Sequence, residues 1–360
     1  MRAAFIESTG PAESFRIGEL PDPTPGPGQV LVRIAASAVN PIDTYIRSGA
    51  VPMAQTFPYV PGCDLAGVVE AVGTDVHRFR VGDRVWGSNQ SLFGRQGTLA
   101  ELAAVDEDWL YTTPQDESDS EAAAGALVGI TAHLGLFLHA RLGPGEWVFV
   151  NGGTGGVGSA VVQLAKASGA HVIATVGSAE KAQMCRQLGA DLVLDYRSAS
   201  LDEDLRAYTN EQGGVDVWWE TQREPGFERT FGFLKPRGRM VVMAGRDARP
   251  EFPVGPFYVK DLRLIGFAMF NATADEQRQA AADLNRWFAE GKWRPVVGRT
   301  FPLEEAAAAH ALQEDSTIGQ QGTLTGKIVV PPWSAGLRLS GRIHAVNWRF
   351  RNNHGDGRRG

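Results

Sequence analysis

The chain is poor in cysteine: Cys63 and Cys185 are the two thiols among its 360 residues. Two cysteines cannot build a disulfide framework or a four-cysteine zinc site, and such low usage favours a reducing, cytoplasmic location. We also expect no signal peptide and no membrane-spanning segment, because no signal-peptide h-region opens the chain and no apolar run approaches the length of a membrane span. These gaps favour an ordinary soluble enzyme-sized protein over a secreted scaffold.

Basic residues are also scarce over most of the chain. The formal net charge is −6, and residues 331–360 hold six arginines and one aspartate. Residues 1–330 therefore carry 29 basic and 40 acidic side chains, a net charge of −11. So acidic a body argues against a nucleic-acid partner. We predict that residues 331–360 form a disordered basic tail, with an arm for an acidic partner as the alternative.

Residues 147–158 (Trp-Val-Phe-Val-Asn-Gly-Gly-Thr-Gly-Gly-Val-Gly) are the most informative stretch present. An apolar run with strand character leads into a glycine loop, and a helical pattern and a second apolar run, residues 171–176, follow. Gly152, Gly155 and Gly158 stand at positions i, i+3 and i+6. This arrangement places a dinucleotide pyrophosphate at a helix N-terminus. A tight turn without a ligand is the alternative, although so many glycines would be entropically costly there.

The end of the second apolar run indicates which nucleotide binds. Sites that prefer NAD usually carry an acid about 20 residues after the glycine loop, but residues 175–178 read Thr-Val-Gly-Ser. Lys181 follows closely, and Tyr196 lies near the end of the next apolar run. A lysine and a hydroxyl suit a 2′-phosphate, so we predict NADPH as the cofactor. Lys181 as an ordinary solvated lysine beside Glu180 is the alternative.

The order of patterns predicts an α/β protein. Residues 1–110 read as short strands between Gly- and Pro-rich turns, which indicates a small β-barrel-like unit. Helix and strand patterns then alternate to about residue 267, as in a parallel sheet with crossover helices. The last apolar run, residues 326–330, is expected to rejoin the first unit.

Five stretches together resemble the zinc-free quinone oxidoreductase branch, near zeta-crystallin, of the medium-chain dehydrogenase/reductase superfamily. They are residues 39–49 (Val-Asn-Pro-Ile-Asp-Thr-Tyr-Ile-Arg-Ser-Gly), 58–67 (Pro-Tyr-Val-Pro-Gly-Cys-Asp-Leu-Ala-Gly), 82–85 (Gly-Asp-Arg-Val), 152–158 and 301–306 (Phe-Pro-Leu-Glu-Glu-Ala). The resemblance implies a GroES-like β-barrel-type catalytic domain, a Rossmann domain with a doubly wound parallel sheet, and an active site between them. It predicts these bounds: catalytic domain 1–122, Rossmann domain 123–268, return to the catalytic domain 269–330, and tail 331–360.

The resemblance also bears on metal. Zinc alcohol dehydrogenases of this superfamily have a cysteine where this chain has Asn40, His-Glu where it has Cys63-Asp64, and a cysteine near Val128. Catalytic zinc needs three protein ligands at one point, so we predict that no metal is bound. Cys63 is then expected to be a small buried residue.

The resemblance places a segment of the first domain at the floor of the cleft. We predict Asn40, Asp43 and Tyr45 as catalytic residues, with Asn40 and Tyr45 donating hydrogen bonds to a substrate oxygen. For Asp43, capping of a helix is the alternative role. The predicted cofactor-binding residues are Tyr45, Thr131, Thr154, Gly155, Gly156, Val157, Gly177, Ser178, Lys181, Tyr196, Gly245, Arg246, Phe267, Met269 and Phe270.

These features predict an NADPH-dependent reductase of a quinone or related enone. An enoyl-thioester or alkenal reductase stays open, as does a non-enzymatic NADPH-binding protein that contacts RNA or a partner through its tail. Two departures from the family, residues 218–224 and 88–96, are expected to alter the substrate pocket. Residues 262–270 read as a final edge strand, and the resemblance implies a homodimer through that edge.

Overall fold

Two main β-sheets organise the chain in the computed structural model, which describes residues 1–319, 322 and 324–332. The predicted tail therefore lies outside the described residues, apart from Pro331 and Pro332. The strands are β1 (Arg2–Phe5), β2 (Arg16–Glu19), β3 (Gln29–Val39), β4 (Asp64–Val72), β5 (Arg84–Gly87), β6 (Leu102–Asp106), β7 (Leu110–Thr112), β8 (Trp147–Asn151), β9 (His171–Val176), β10 (Leu192–Asp195), β11 (Val215–Glu220), β12 (Leu234–Val242), β13 (Arg263–Gly266), β14 (Val297–Thr300) and β15 (Lys327–Val330). The helices are α1 (Pro41–Ser48), α2 (Asp119–His133), α3 (Gly156–Ala167), α4 (Ala179–Gln187), α5 (Leu201–Thr209), α6 (Phe227–Phe233), α7 (Val254–Val259), α8 (Ala274–Ala289) and α9 (Ala306–Thr317).

The first sheet has six parallel strands in the order β10-β9-β8-β11-β12-β13. The strand order changes direction beside β8, where a doubly wound sheet opens its ligand crevice. Trp218 and Trp219 on β11 are fully buried, one on each side of the sheet. Trp218 stacks on Phe149 of β8 at a centroid distance of 3.8 Å. The predicted parallel-sheet fold is thus confirmed. Trp218 and Trp219, which belong to the segment that departs from the family, pack in the core of this sheet.

The second sheet has seven strands. Six follow the order β14-β15-β3-β4-β5-β7, and β6 pairs with β3. β15 runs antiparallel to β3, with Ile328 opposite Val39. The last apolar run therefore lies within a sheet built mainly from the first third of the chain, as its sequence predicts.

The helix α2 is long and mostly buried. Together with the π-helical turn Leu134–His139, it is long and apolar enough to cross a membrane by length and composition. The expectation that no apolar run reaches that length was therefore wrong. Its most apolar window is 78% buried inside the protein, however, which is typical of a core helix. Ser118 and Glu121 form a capping box at its start, which satisfies free N–H groups.

Candidate functional site

The glycine loop joins the carboxyl end of β8 to α3. Gly152 has a φ of 93°, in the left-handed region that favours glycine. A Cβ on Gly158 would lie 1.9 Å from the Gly152 carbonyl oxygen, so only glycine fits there. A Cβ on Gly155, by contrast, would meet nothing within 4 Å. The backbone before α3 therefore faces open space, and the first N–H groups of that helix have no intrahelical partner. This is a suitable cradle for a diphosphate.

Neighbouring elements hold the loop from both sides. Thr175 on β9 accepts two hydrogen bonds from the loop. Its carbonyl oxygen accepts one from Gly153 N at 2.9 Å, and its hydroxyl oxygen accepts one from Gly152 N at 3.0 Å. Thr154 accepts a hydrogen bond of 3.0 Å from Gly326 N, just before β15. The loop is thus fixed to its own sheet and to the strand that enters the other sheet.

A cleft of about 1040 Å³ opens in front of this loop, between the two sheets. Its volume is at the upper end of typical ligand pockets. Among the described residues its walls come from the glycine loop, the strand ends that follow it, and α1 and α9 opposite. The lining residues are Pro41, Tyr45, Ser48, Ala50, Gly152, Gly155, Gly156, Val157, Gly158, Tyr196, Arg197, Thr221, Gln222, Arg223, Val242, Met243, Ala244, Gly245, Arg246, Asp247, Ser316, Thr317, Ile318 and Gly322.

The structure brings some of the predicted site residues into this cleft and leaves others outside its lining. Those that line it are Tyr45, Gly155, Gly156, Val157, Tyr196, Gly245 and Arg246. Those that do not are Asn40, Asp43, Thr131, Thr154, Gly177, Ser178, Lys181, Phe267, Met269 and Phe270. Thr131 and Met269 are buried in the core. Ser178 caps α4 by accepting from Lys181 N, and a Cβ on Gly177 would meet the Tyr196 hydroxyl at 2.4 Å.

One end of the cleft carries cationic side chains. Tyr196 and Arg197 lie directly after β10, and the Arg197 guanidinium is 5.5 Å from the Tyr196 ring centroid. Lys181 approaches from α4, where its Nζ donates to the carbonyls of Gly322 at 2.6 Å and Leu324 at 3.1 Å. Burial and then the charge of Arg197 lower the pKa of Lys181. Arg197 lines the cleft, and Lys181 is held at Gly322, another residue of its lining.

Tyr45 lines the cleft together with two further arginines, Arg223 and Arg246. The Arg246 guanidinium lies 5.8 Å from the Tyr45 ring centroid and donates to the Ala50 carbonyl at 2.8 Å. Arg223 donates to the Thr317 carbonyl at 3.2 Å. Burial raises the pKa of Tyr45, although the charges of Arg223 and Arg246 oppose that shift. The Tyr45 phenol therefore stays protonated at neutral pH and can donate a hydrogen bond.

Behind α1 lies a buried polar cluster, which we define as Asn40, Asp43, Cys63, Asp64 and Lys327. Lys327 Nζ donates to the Val39 carbonyl at 2.6 Å and to Asn40 Oδ1, and it lies 3.8 Å from Asp64 Oδ2. Asn40 Nδ2 in turn donates to Asp64 Oδ2 at 2.8 Å. Because both ends of the Asn40 amide are already used, the structure does not support direct donation from Asn40 to a substrate.

Asp43 also lies inside this cluster and is fully buried. Its carboxylate accepts from Asn40 N at 2.8 Å, which completes the capping box of α1. The position favours the alternative structural role for Asp43 over contact with substrate. It holds the start of the helix that carries Tyr45.

The cluster occupies the positions compared above with zinc ligands. Burial, followed by the charges of Asp43 and Asp64, raises the pKa of the Cys63 thiol well above its usual value. Burial lowers the pKa of Lys327, and the two nearby carboxylates oppose that shift. In the part of the chain that the structure describes, no group of three or more His, Cys, Asp or Glu side chains could hold a metal ion. The donor set fits an ammonium group better than a zinc ion.

Several lining residues escaped prediction from the sequence. Arg197 immediately follows Tyr196, so its position after a strand was a usable signal. Arg223 lies three residues after the end of β11, in the unusual segment 218–224, and this position was a weaker signal. Nothing near Lys327 indicates its role, because its partners are 263 or more residues away in the chain: the largest separation, to Val39, is 288 residues.

Two family models match the chain: "Alcohol dehydrogenase GroES-like domain" over residues 26–115 and "Zinc-binding dehydrogenase" over residues 156–286. The human quinone oxidoreductase is 33% identical over 331 residues, which are 92% of this chain and 97% of that protein. The Escherichia coli quinone oxidoreductase, solved in complex with NADPH, is 28% identical with a TM-score of 0.79, covering 92% of this chain and all of that one. A structure described as an NAD-dependent alcohol dehydrogenase is 30% identical with a TM-score of 0.81, covering 92% and 99%.

Proposed function

Since this chain belongs to the quinone oxidoreductase branch of the medium-chain dehydrogenase/reductase superfamily, we propose that it reduces a quinone or a related activated alkene with NADPH and without a metal ion. Oxidation and reduction with an NAD(P)-type cofactor is the general activity of this branch. The cleft is the single observation that carries the specific proposal. It combines an open glycine loop, cations at one end and a protonated phenol in the middle.

The nicotinamide cofactor supplies the hydride, and the chain's residues bind and orient the reactants. In this proposal Gly155, Gly156 and Val157 bind the diphosphate and Tyr196 and Arg197 bind the adenosine end, which is supported by their position in the cleft lining. Tyr45 donates a hydrogen bond to the acceptor oxygen as negative charge develops there. A quinone suits this arrangement because its reduction product is aromatic. One hydrogen-bond donor is therefore enough to assist the reduction, and no Lewis acid is needed.

A panel of acceptors tests the proposal. The purified protein should oxidise NADPH faster with quinones than with simple enones or enoyl thioesters, measured by the loss of absorbance at the nicotinamide band. A faster reaction with enoyl thioesters would show that they, and not quinones, are the substrate class. No oxidation with any acceptor would remove the proposed function altogether.

We further propose that the cations at the end of the cleft select NADPH over NADH. Arg197→Ala should raise the KM for NADPH about five- to tenfold, because it removes one charge-assisted hydrogen bond to the 2′-phosphate at an exposed site. The KM for NADH should change less than about twofold, since NADH has no such phosphate. Lys181→Ala should act in the same direction. The control is Arg186→Ala, an exposed arginine on the neighbouring helix α4. Equal KM values for both cofactors in the unmutated protein would contradict the proposal.

Metal independence is a separate prediction, and the buried cluster supports it. Activity should survive prolonged treatment with EDTA and 1,10-phenanthroline, because the ammonium of Lys327 lies among the side chains that would have to bind zinc. Elemental analysis should find well below one zinc per chain. Loss of turnover on chelation, restored by added zinc, would show that a metal takes part.

We also propose a homodimer that forms through the β13 edge of the parallel sheet. β13 pairs with β12 on one side, and nearby apolar side chains are exposed: Tyr258 is 66%, Val259 72% and Leu264 41% accessible. Exposed apolar groups beside a free strand edge favour self-association. Light scattering should give twice the chain mass. Val259→Asp should lower the mass to that of the monomer, whereas Val81→Asp, at a 62% exposed valine in the β-rich unit, should not. A monomeric unmutated protein would refute the assignment.

A further inference from the structure

The strand β11 ends in a buried carboxylate, that of Glu220, which is 2% exposed. The Asn151 side chain on β8 donates through Nδ2 to Glu220 Oε1 at 2.9 Å and to Oε2 at 3.2 Å. Trp218 Nε1 donates to Oε2 at 3.0 Å, and Gln222 N donates to Oε1 at 2.7 Å. Each of these partners is a donor, which fits an ionised carboxylate because that group only accepts. Burial raises the pKa of Glu220, and the same donors oppose that shift.

Asn151 connects Glu220 to β9, where its partner Thr175 is also buried. The Thr175 hydroxyl donates to Asn151 Oδ1 at 2.8 Å. A reversed Asn151 amide would set its oxygen against the carboxylate, so Glu220 decides which way that amide points. The hydroxyl has one hydrogen, which Asn151 receives, and its oxygen accepts from Gly152 N at 3.0 Å. We define the loop network as these hydrogen bonds, which run in one direction from Gly152 through Thr175 and Asn151 to Glu220.

The loop network holds the peptide group between Asn151 and Gly152. The N–H of this peptide donates to Thr175, and its carbonyl oxygen accepts from the Thr221 hydroxyl after β11. Gly152 lines the cleft, and its own carbonyl oxygen would be 1.9 Å from a Cβ on Gly158 in the first turn of α3. A shift of this peptide therefore displaces the end of the helix whose free N–H groups face the cleft.

We propose that Glu220 is a positioning residue for the cofactor: its carboxylate orients the Asn151 amide and the Thr175 hydroxyl, which hold the glycine loop where α3 receives the diphosphate. Glu220 does not line the cleft, so it acts through the loop and not by contact with the cofactor. It belongs to the segment 218–224 that departs from the family. The inference rests on the proposed binding of the cofactor at the glycine loop and holds for any hydride acceptor.

A double-mutant cycle on the Kd of NADPH, measured by NADPH fluorescence, tests this role. Glu220→Gln should raise the Kd about tenfold, because in either orientation its amide nitrogen meets an N–H donor and the loop network loosens. Thr175→Val removes the hydroxyl from the middle of the network and should raise the Kd by a similar factor. Thr175→Ser keeps the hydroxyl and should stay within about twofold. Adding Glu220→Gln to Thr175→Val should raise the Kd by less than a further factor of about two.

Glu117→Gln is the matched control, because Glu117 is also buried, at 6% exposed, but precedes α2 and does not line the cleft. It should leave the Kd of NADPH unchanged. Glu220→Gln should weaken NADH as much as NADPH, since both carry the diphosphate. Its kcat at saturating NADPH should stay within about twofold, because the loop network positions the cofactor and does not contact the acceptor.

Unchanged binding of NADPH by Glu220→Gln, or effects of Glu220→Gln and Thr175→Val that add in full, would overturn the role of Glu220. If Glu220→Gln does not fold, Asn151→Ala breaks the same network, and full additivity with Thr175→Val would overturn the inference equally. An unmutated protein that binds neither NADPH nor NADH would remove the proposed function together with this inference. Normal binding by the unmutated protein with no loss in Glu220→Gln would remove this inference alone.

Discussion

Gly158→Ala should lower the affinity of the protein for NADPH about 100-fold. The new Cβ would lie 1.9 Å from the Gly152 carbonyl oxygen, and because that oxygen belongs to the backbone, the loop itself must move. Overpacking of this kind costs about 1–3 kcal/mol, and a displaced loop no longer aims its N–H groups at the diphosphate. Equilibrium titration of NADPH, followed by its fluorescence, measures the change.

Two matched substitutions show whether steric displacement is the cause. Gly155→Ala adds its methyl group to open space in the cleft. It should therefore leave the melting temperature of the protein unchanged and still weaken the binding of NADPH. Gly232→Ala, in α6 with nothing within 4 Å of its Cβ, should change neither property. Unaltered NADPH affinity in Gly158→Ala would mean that the glycine loop is not the diphosphate site.

Lys327→Met should lower the free energy of unfolding by about 3–5 kcal/mol, because it leaves Asp64 buried without its compensating cation. Both side chains are almost fully inaccessible, at 5% for Lys327 and none for Asp64. Burial already raises the pKa of Asp64 to about 6, and without the ammonium that pKa should rise further. Urea denaturation at pH 7 measures the loss.

Two comparison variants test whether the loss of stability in Lys327→Met comes from the buried charge. Lys166→Met removes a partly exposed ion pair with Asp191 and should cost less than about 1 kcal/mol. The double variant Lys327→Met with Asp64→Asn removes both buried charges and should recover part of the stability lost by Lys327→Met alone. If Lys327→Met and Lys166→Met were equally mild, the buried cluster would not be held by its charges.

The sequence predicts those parts of the molecule that depend on local pattern. The glycine loop, the alternation of strand and helix and the apolar run at the end each carry their signal within about 20 residues. The parallel sheet, the open loop before α3 and the pairing of β15 with β3 all agree with those patterns. Tyr45 and Tyr196 were singled out because Tyr45 lies in a family motif and Tyr196 directly after a strand, and both line the cleft.

The sequence predicts less well where partners are distant. Asn40 resembles a hydrogen-bond donor in its motif, yet the structure turns its amide towards Asp64 and Lys327. The role of Lys181 at the 2′-phosphate stays a prediction, and the sequence did not indicate that its Nζ donates to the carbonyls of Gly322 and Leu324. Such assignments depend on which residues occupy the other side of a fold, and spacing along one segment does not contain that information.

The position of β15 also bears on how the protein is made. Lys327 reaches Val39 across 288 residues, so the β-rich unit cannot close until almost all of the described chain has left the ribosome. At about 5–20 residues per second, that interval is roughly 15–60 s. The six strands of the parallel sheet, in contrast, are all synthesised before β15. β3 pairs with β4 along one edge and with β6 at residues 29–33 of the other, so during synthesis its residues 37–39 wait for β15. This end of the strand is therefore the place where chaperones or misassembly would act first.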